Sequence, residues 1–401
     1  MKKIALLIDT MNGGGAQRVV SHLSGILGAD YDVHVILFDD RYHEFSCQGT
    51  QHCLHVPAVG GSALVKLKLL DQRIKKLKTL IKKEKLDCVI SFMDSPNFVN
   101  LFAKVPGCRK IISIRNYSGL ENRQSGLGKL TDIAMKLLYR RADYVVTVSK
   151  LIEKDFCEHY GIAKEKICTI YNPYNFEDIR KKGEVPLTEP EQTFYDGHFV
   201  FANVGRIMYQ KGVWHLVKAF AMVRKQNQDA RLVIVGEDLS DGKLTALIDQ
   251  LGIQDSVLLT GRTRNPYQYM KNADCYVLSS LFEGFPNAMV EAMACGCPVI
   301  AADCKSGPRE ILCENVDLDA VINEVTEADY GVLIPALEPE ENWDPKVITD
   351  GEKKLAQGMI MMRSSDEMKR SLSRKAMERS AEFDYSACRS SYSAVIESER
   401  S

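Results

Sequence analysis

The sequence lacks the cysteine spacing of a metal or redox centre. Its 401 residues include 12 cysteines, but no two of them form a Cys-x-x-Cys pair. Cys47, His52, Cys53 and His55 lie close together in the chain, yet their spacing is not that of a zinc site. We therefore expect reduced, mostly buried thiols, as in a cytoplasmic protein, and no metal site.

Long apolar runs are also missing. The chain opens Met1-Lys2-Lys3 and enters a short apolar run, Ile4 to Ile8, which ends at Asp9. This run is too short for the core of a signal peptide. No segment reaches the roughly 18 unbroken apolar residues of a membrane-spanning helix. The sequence therefore predicts a cytoplasmic protein without a transmembrane helix.

The net charge is small, but charge is unevenly distributed along the chain. The formal net charge is −1, yet residues 1–178 carry 26 lysines and arginines against 19 acidic residues, a net charge of +7. The remaining residues carry a net charge of −8. The length suits two domains of about 100–200 residues each. We expect two halves that contact different partners.

Short apolar runs alternate with helical patterns along the chain, which is typical of the βα units that build a parallel sheet. The predicted strands are Lys3–Ile8, Val33–Phe38, Cys88–Phe92, Lys110–Ile114, Tyr144–Val148, Ile167–Ile170, Phe199–Val204, Arg231–Val235, Val257–Leu259, Cys275–Leu278, Val299–Ala301 and Gly331–Ile334. A Pro- and acid-rich stretch at 179–197 is taken as a linker between domains 1–178 and 198–384. Two stretches break the alternation: an acidic insertion at 313–329 and a loop at 336–350.

The stretch from Ser279 to Ala301 carries the strongest functional signal. An apolar strand runs into a Gly/Pro loop and then a helix, with Glu283 in the loop and Glu291 about one turn into the helix. A helix N-terminus presents unpaired N–H groups and partial positive charge, which suit an anion. Carboxylates suit the hydroxyls of a sugar. The combination predicts a sugar-nucleotide site.

Two cations follow the first strand of the second half. Arg206 offers a rigid fork of donors and Lys211 a mobile point charge, and both can bind phosphate. The adjacent Gly205 and Gly212 permit close approach of the backbone. We predict that this loop binds a diphosphate.

Five motifs, in this order, resemble those of family four of the retaining GT-B glycosyltransferases. They are the glycine loop Asn12–Val19, the Gly-Arg…Lys-Gly motif Val204–Gly212, the segment Val233–Glu237, the E-x7-E pair Glu283 and Glu291, and the run Ser306–Ile311. The resemblance covers about the first three quarters of the chain. It implies an α/β GT-B fold of two facing Rossmann-like domains with a central cleft, and a closing helix, about 385–401, that crosses back onto the first domain.

The resemblance also implies roles for residues. Glu283, Arg206 and Lys211 are predicted to be catalytic, with Glu283 contacting donor-sugar hydroxyls and Glu291 the ribose. Backbone groups near the helix start and the glycine loops are predicted to bind substrate, namely Gly205, Gly284, Phe285, Pro286, Asn287, Ala288, Gly14 and Gly15.

The first half departs from the wider family at one point. Many members carry a histidine after a strand of the first domain, whereas here the strand Lys110–Ile114 ends in Arg115 and Asn116. This segment and the one around Asn97 resemble a subgroup that builds capsule, lipopolysaccharide and lipid-linked oligosaccharides. Asn97, Arg115 and Asn116 are candidates either for donor or acceptor contact or for structural roles.

No metal ion or other cofactor is expected. The sequence contains two bare Asp-x-Asp motifs, which are the metal motif of the other glycosyltransferase fold. Asp30 and Asp32 precede a strand, and Asp317 and Asp319 lie in the acidic insertion. Neither is next to the diphosphate motif, so we predict solvent-facing turns.

The segment Lys66 to Lys85 predicts a basic amphipathic helix. It holds nine cations and an apolar stripe at helical spacing, formed by Leu67, Leu70, Ile74, Leu77 and Ile81. The stripe is expected to pack on the first sheet and leave a cationic face. That face favours an anionic membrane surface, or is simply solvated. No aromatic interleaving or reader motif indicates nucleic acid.

These predictions describe a cytoplasmic enzyme on the inner face of the plasma membrane. It would transfer a hexose or N-acetylhexosamine from a nucleotide sugar, UDP-linked in our prediction, to a glycan or lipid-linked acceptor. Two alternatives remain open. One is a sugar-nucleotide epimerase of the same fold, and the other is a non-catalytic sugar-nucleotide sensor or scaffold.

Overall fold

The computed structural model describes residues 1–41, 44–58, 62–117 and 126–398. The chain divides into two compact units. The first unit comprises Met1–Tyr174 and Tyr385–Ser401, and the second comprises Asn175–Asp384. Residues 399–401, the end of the predicted closing helix, lie outside the described part.

The first unit is built on a seven-stranded parallel sheet of order β3-β2-β1-β4-β5-β6-β7. The strands are β1 Lys3–Ile8, β2 Asp32–Leu37, β3 Thr50–Cys53, β4 Cys88–Phe92, β5 Arg109–Ile114, β6 Tyr144–Thr147 and β7 Ile167–Thr169. Its described α-helices are Gly15–Leu27, Ala63–Glu84, Asp94–Phe102, Gly126–Leu138, Lys150–Glu158 and Tyr385–Glu397. The central strands are continuous apolar runs because helices cover both faces of such a sheet.

The closing helix Tyr385–Glu397 belongs to the first unit. Its buried residues Tyr392 and Ile396 join the core cluster that contains Ile4 and Leu6 of β1. The guanidinium of Arg109 donates hydrogen bonds to the carbonyl of Ile396 at 2.9 Å and to that of Ser398 at 2.6 Å. Apolar burial and these bonds fix the helix on the first sheet.

The second unit has a seven-stranded sheet of order β10-β9-β8-β11-β12-β14-β13. Its strands are β8 Phe199–Val204, β9 Ala230–Val235, β10 Val257–Gly261, β11 Cys275–Leu278, β12 Val299–Ala302, β13 Thr326–Glu327 and β14 Val332–Ile334. Its described α-helices are Phe176–Gly183, Glu189–Tyr195, Val213–Gln226, Lys243–Leu251, Tyr267–Asn272, Asn287–Ala294, Pro308–Leu312, Asp350–Ser364 and Asp366–Ser380. All strand pairs are parallel except that of β13 and β14.

All twelve predicted strands are present, with ends that differ by at most two residues. Two short strands were not predicted. β3 is polar and largely exposed, and β13 has two exposed residues within the acidic insertion. Neither strand carries the apolar pattern that the prediction relied on.

The stretch 179–197 is mostly helical, not an open linker. In the helix Glu189–Tyr195, Thr188 and Glu191 form a capping box, which satisfies N–H groups of the first turn. Tyr195 is 6% exposed, and its hydroxyl donates to the carbonyl of Tyr269 at 3.2 Å. These contacts attach the segment to the second unit.

The basic helix spans Ala63–Glu84, but its apolar stripe is only partly buried. Leu77 and Ile81 are in the core, whereas Leu67 is 70% exposed. Arg73, which the sequence analysis counts among the surface cations, is 6% exposed. No helix of the described residues combines the length and apolar character needed to cross a membrane.

Candidate functional site

The loop after β8 carries the predicted diphosphate cations. Arg206 is exposed and has no side-chain hydrogen bond or ion pair within the described ranges. Lys211 ends the short turn Tyr209–Lys211. Gly212 has φ 55°, and a Cβ there would lie 2.4 Å from the carbonyl oxygen of Ser279. Only glycine lets this loop approach the end of β11 so closely.

The side chain of Glu283 contacts the same loop through Lys211. Its Oε1 accepts from Nζ of Lys211 and from Oγ of Ser280, both at 2.6 Å. The side chain of Glu283 is 7% exposed and that of Lys211 is 22% exposed. The carboxylate is therefore fixed, and Lys211 keeps donors for another anion because an ammonium has three.

The backbone around Glu283 is bonded to the turn after β12. The N–H of Glu283 donates to the carbonyl of Lys305 at 2.8 Å, and the N–H of Ser306 donates to the carbonyl of Glu283 at 2.9 Å. A Cβ at Gly307, whose φ is 103°, would lie 2.6 Å from Cδ of Pro286. The segments that follow β8, β11 and β12 thus contact one another and hold the start of the helix Asn287–Ala294 in place.

Glu291 lies on that helix as predicted and is 3% exposed. Pro286 caps the helix and does not belong to its first turn, so the helix begins at Asn287. The backbone segment Gly284–Ala288 therefore surrounds the N-terminus of the helix, where N–H groups and the helix dipole favour an anion.

Tyr276 was not predicted as a site residue. It is fully buried on β11, and its hydroxyl donates to the carbonyl of Val204 at 3.4 Å. Burial raises the pKa of Tyr276, and the negative charges of Glu283 and Glu291 raise it further. The neutral phenol thus lies within electrostatic reach of both carboxylates.

The first unit contributes a glycine loop after β1. Gly14 precedes the helix Gly15–Leu27, and a Cβ at Gly14 would lie 2.3 Å from Oε1 of Gln17. Nearby, burial raises the pKa of Asp9, with Arg73 acting in the opposite direction. Arg73 donates to the carbonyl of Ala58 at 3.0 Å and lies 4.5 Å from the ring centroid of Phe38. Asp9, which precedes the glycine loop and interacts with Gln17 and Arg73, was not among the predicted site residues.

Asn97 is fully buried inside the first unit. Its Oδ1 accepts from Oγ of Ser91 at 2.7 Å, and its Nδ2 donates to the carbonyl of Ser113 at 3.2 Å. These bonds connect β4 and β5. Such burial argues against the predicted contact of Asn97 with substrate.

Arg115 is also buried, at 9% exposure, and donates to Oδ1 of Asn172. Burial lowers the pKa of its guanidinium, since removal from water disfavours the charged form. Asn116, the next residue, is exposed. Of the three polar candidates after β4 and β5, only Asn116 is open to solvent.

Among the described residues, Asp40, Cys53 and His55 form a group whose ligand atoms lie within 4.8 Å of one another. Two of them belong to the cysteine and histidine cluster considered from the sequence. Burial raises the pKa of Cys53, which favours the thiol over the metal-binding thiolate.

The described architecture, with its charged site at the strand ends of the second unit, is that of the GT-B glycosyltransferases. The crystal structure of HepE from Anabaena in complex with UDP matches with a TM-score of 0.74 at 18% identity, covering 100% of both chains. The predicted α/β GT-B fold class, with a parallel-dominant sheet in each unit, is confirmed.

Sequence comparisons identify the family. The Glycosyltransferase Family 4 model matches residues 13–178, and the Glycosyl transferases group 1 model matches residues 186–330. A glycosyltransferase of Methanocaldococcus jannaschii, itself uncharacterised, is 32% identical over 328 residues, covering 79% of this chain and 80% of the relative. The N-acetylgalactosamine-N,N'-diacetylbacillosaminyl-diphospho-undecaprenol 4-alpha-N-acetylgalactosaminyltransferase of Campylobacter jejuni is 28% identical over 389 residues, 96% of each chain. The chain belongs to the family 4 type of glycosyltransferases and is an enzyme of that class.

Proposed function

We propose that this enzyme transfers a hexose or N-acetylhexosamine from a UDP-sugar to a glycan or lipid-linked acceptor in surface polysaccharide synthesis, with retention of the anomeric configuration. The observation that carries the proposal is the placement of Arg206 and Lys211 on one loop beside Glu283. The name of the Campylobacter jejuni relative, a transferase acting on a diphospho-undecaprenol-linked sugar, supports the acceptor class. The UDP in the HepE crystal structure supports the nucleotide.

In this proposal the bond between C1 of the sugar and the diphosphate oxygen breaks. The acceptor oxygen bonds to C1 from the same face, and its proton passes to the departing diphosphate. Arg206 and Lys211 stabilise the charge that develops on the leaving group. Glu283 positions Lys211 and has lone pairs left for a sugar hydroxyl, and Glu291 accepts from the ribose.

The proposed location is the inner face of the plasma membrane, reached through the helix Ala63–Glu84. Its exposed cations include Lys68, Lys75, Lys82 and Lys83. Near its start, Leu64 is 83% and Leu67 is 70% exposed. Cations attract anionic headgroups, and exposed leucines bury their side chains at the acyl boundary.

Transfer from a panel of UDP-hexoses and UDP-N-acetylhexosamines to a lipid-linked oligosaccharide tests the proposal. We expect one donor to give a product whose new linkage, determined by NMR, keeps the donor's anomeric configuration. An inverted linkage would contradict retention. Free epimerised sugar without acceptor would favour the epimerase, and binding without turnover would favour the sensor.

A further inference from the structure

A cavity of about 200 Å³ lies in the second unit, and three aromatic rings line it. Tyr209 comes from the diphosphate loop, Trp214 from the first turn of the helix Val213–Gln226, and Trp343 from the loop 336–350. The ring centroids are 5.9 Å apart for Tyr209 and Trp214, and 5.6 Å apart for Trp214 and Trp343. None of the side chains proposed to bind the donor lines this aromatic cavity.

The wall formed by the loop 336–350 is firmly anchored. The hydroxyl of Tyr209 donates to the carbonyl of Pro339 at 2.6 Å, and Nζ of Lys218 donates to that of Val347 at 2.9 Å. Nδ1 of the buried His215 ring lies 2.9 Å from Oε1 of Glu352. The cavity is therefore formed before any ligand arrives, which lowers the ordering cost of binding.

One buried polar group in the wall lacks a partner. Trp214 is 1% exposed, and its indole N–H has no hydrogen-bond acceptor within the described residues. A buried donor without an acceptor is costly. The N–H itself is closed to solvent, so Trp214 forms the inner wall, and a ligand would contact the more exposed rings of Tyr209 and Trp343.

Charged groups at the cavity favour a neutral, hydroxyl-rich ligand. Asp241 is exposed and has no side-chain partner in the described part of the chain. Glu341 accepts from Nζ of Lys243 at 3.2 Å and from the indole N–H of Trp343 at 2.6 Å. Asp241, Glu341 and Lys243 together give the cavity a net negative charge, which disfavours a phosphate. Carboxylates do accept hydrogen bonds from hydroxyls.

We propose that the aromatic cavity binds one pyranose ring of a neutral glycan, separately from the donor site. The apolar face of the sugar would lie against the rings of Tyr209 and Trp343, and its hydroxyls would bond to Asp241 and Glu341. Pockets for drug-sized ligands have volumes of about 300–1,000 Å³. The aromatic cavity is smaller than these pockets, which suits a single sugar ring. That this sugar is part of the acceptor rests on the proposed function.

Intrinsic fluorescence tests the inference directly, because the chain has 2 tryptophans and both line the cavity. The probes are methyl α-glycosides of glucose, galactose and N-acetylgalactosamine, titrated without any nucleotide, with uridine and glycerol in parallel. We expect a saturable change with at least one glycoside. Tyr209→Ala and Asp241→Ala should each weaken its binding at least tenfold, while the matched variant Tyr330→Ala should not.

The inference is overturned if no glycoside gives a saturable change, or if both cavity variants bind as the wild type does. It is also overturned if uridine or glycerol alone reproduces the change, since the cavity would then take a nucleobase or any polyol. Thermal unfolding of each variant confirms that it is folded. Because no nucleotide is present, failure here leaves the proposed transfer untouched.

In transfer assays, Asp241→Ala should raise KM for the acceptor with little change in kcat. A fall in kcat with an unchanged acceptor KM would contradict the assignment of the bound sugar to the acceptor. The fluorescence result would stand in that case.

Discussion

The two units have sheets of the same size and similar strand order, but the polar residues at their strand ends differ in accessibility. In the second unit, Arg206 is exposed and Lys211 is held by Glu283 beside it. In the first unit, Asn97 and Arg115 are buried and bonded to neighbouring strands or loops. The side chain of Arg206 is therefore open to solvent, whereas those of Asn97 and Arg115 bond to other residues of the first unit. The predictions below test this contrast.

The largest effect is expected for Lys211→Ala. Turnover should fall by roughly 10- to 1,000-fold, because charge stabilisation of the leaving group is lost. Stability should also fall by about 1–3 kcal/mol, because the buried carboxylate of Glu283 loses its cation. Transfer kinetics and urea unfolding measure the two effects.

The double variant Lys211→Ala with Glu283→Gln is the control for that pair. Removing both charges should recover most of the stability but none of the activity. If the double variant is no more stable than Lys211→Ala alone, the ion pair does not hold this loop.

Arg206→Ala separates function from folding. Because Arg206 is exposed, we expect a turnover loss of about 10- to 1,000-fold with an unchanged midpoint of urea unfolding. Lys225→Ala, which changes another exposed cation of the same unit, should be neutral in both assays. Transfer near the wild-type rate by Arg206→Ala would remove this residue from the diphosphate site.

Asn97→Ala should show the opposite behaviour in the first unit. It leaves buried partners on β4 and β5 unpaired and should lower the free energy of unfolding by roughly 1–3 kcal/mol. Turnover per folded molecule should stay within about twofold of the wild type, since no contact with substrate is lost. A large loss of turnover without a loss of stability would restore the predicted substrate contact.

Membrane attachment is a weaker, distributed effect of the first unit. Changing Lys68, Lys75, Lys82 and Lys83 to Gln should reduce binding to phosphatidylserine vesicles at least tenfold, since each cation contributes up to about 1 kcal/mol. Wild-type binding should also fall as salt rises. Vesicle sedimentation measures both.

The matched control changes four exposed lysines of the second unit, Lys181, Lys225, Lys346 and Lys353, to Gln. It should bind vesicles as the wild type does. Transfer to a soluble acceptor should be unchanged in both variants. Equal loss of vesicle binding in both would mean that charge alone, and not this helix, drives attachment.

Chelation should have no effect on transfer. The cations and helix N-terminus of the second unit are proposed to take the place of a divalent ion at the diphosphate. Activity in EDTA should equal that in its absence, and recovery of a lost activity by Mn²⁺ or Mg²⁺ would contradict the mechanism.

Sequence patterns predicted the parts of the fold that depend on local apolar periodicity. The strand Cys275–Leu278 and the helix that carries Glu291 were both located. β3 was missed because its edge position requires no apolar residues. Leu67 was wrongly expected to be buried, since helical spacing shows which residues share a stripe but not how far a sheet covers it.

Only candidate site residues that belong to sequence motifs could be named from the sequence. Lys211 and Glu283 were each named from a motif, but their direct ion pair could not be read from residues 72 positions apart. Tyr276 was hidden because a buried tyrosine in a strand resembles any core residue. Arg73 was assigned to the surface because composition does not show which cation of a basic helix points inward.

In the proposed function, the loop of Arg206 and Lys211 binds the diphosphate of a nucleotide sugar. The most direct test of this binding is thermal unfolding of the wild type and Arg206→Ala with a panel of nucleotide sugars, without added metal. We expect one nucleotide sugar at 100 times its dissociation constant to stabilise the wild type by about 2.7 kcal/mol. The same concentration should give Arg206→Ala little or no stabilisation. Equal stabilisation of both proteins, or none of the wild type by any nucleotide sugar, would contradict the proposed binding.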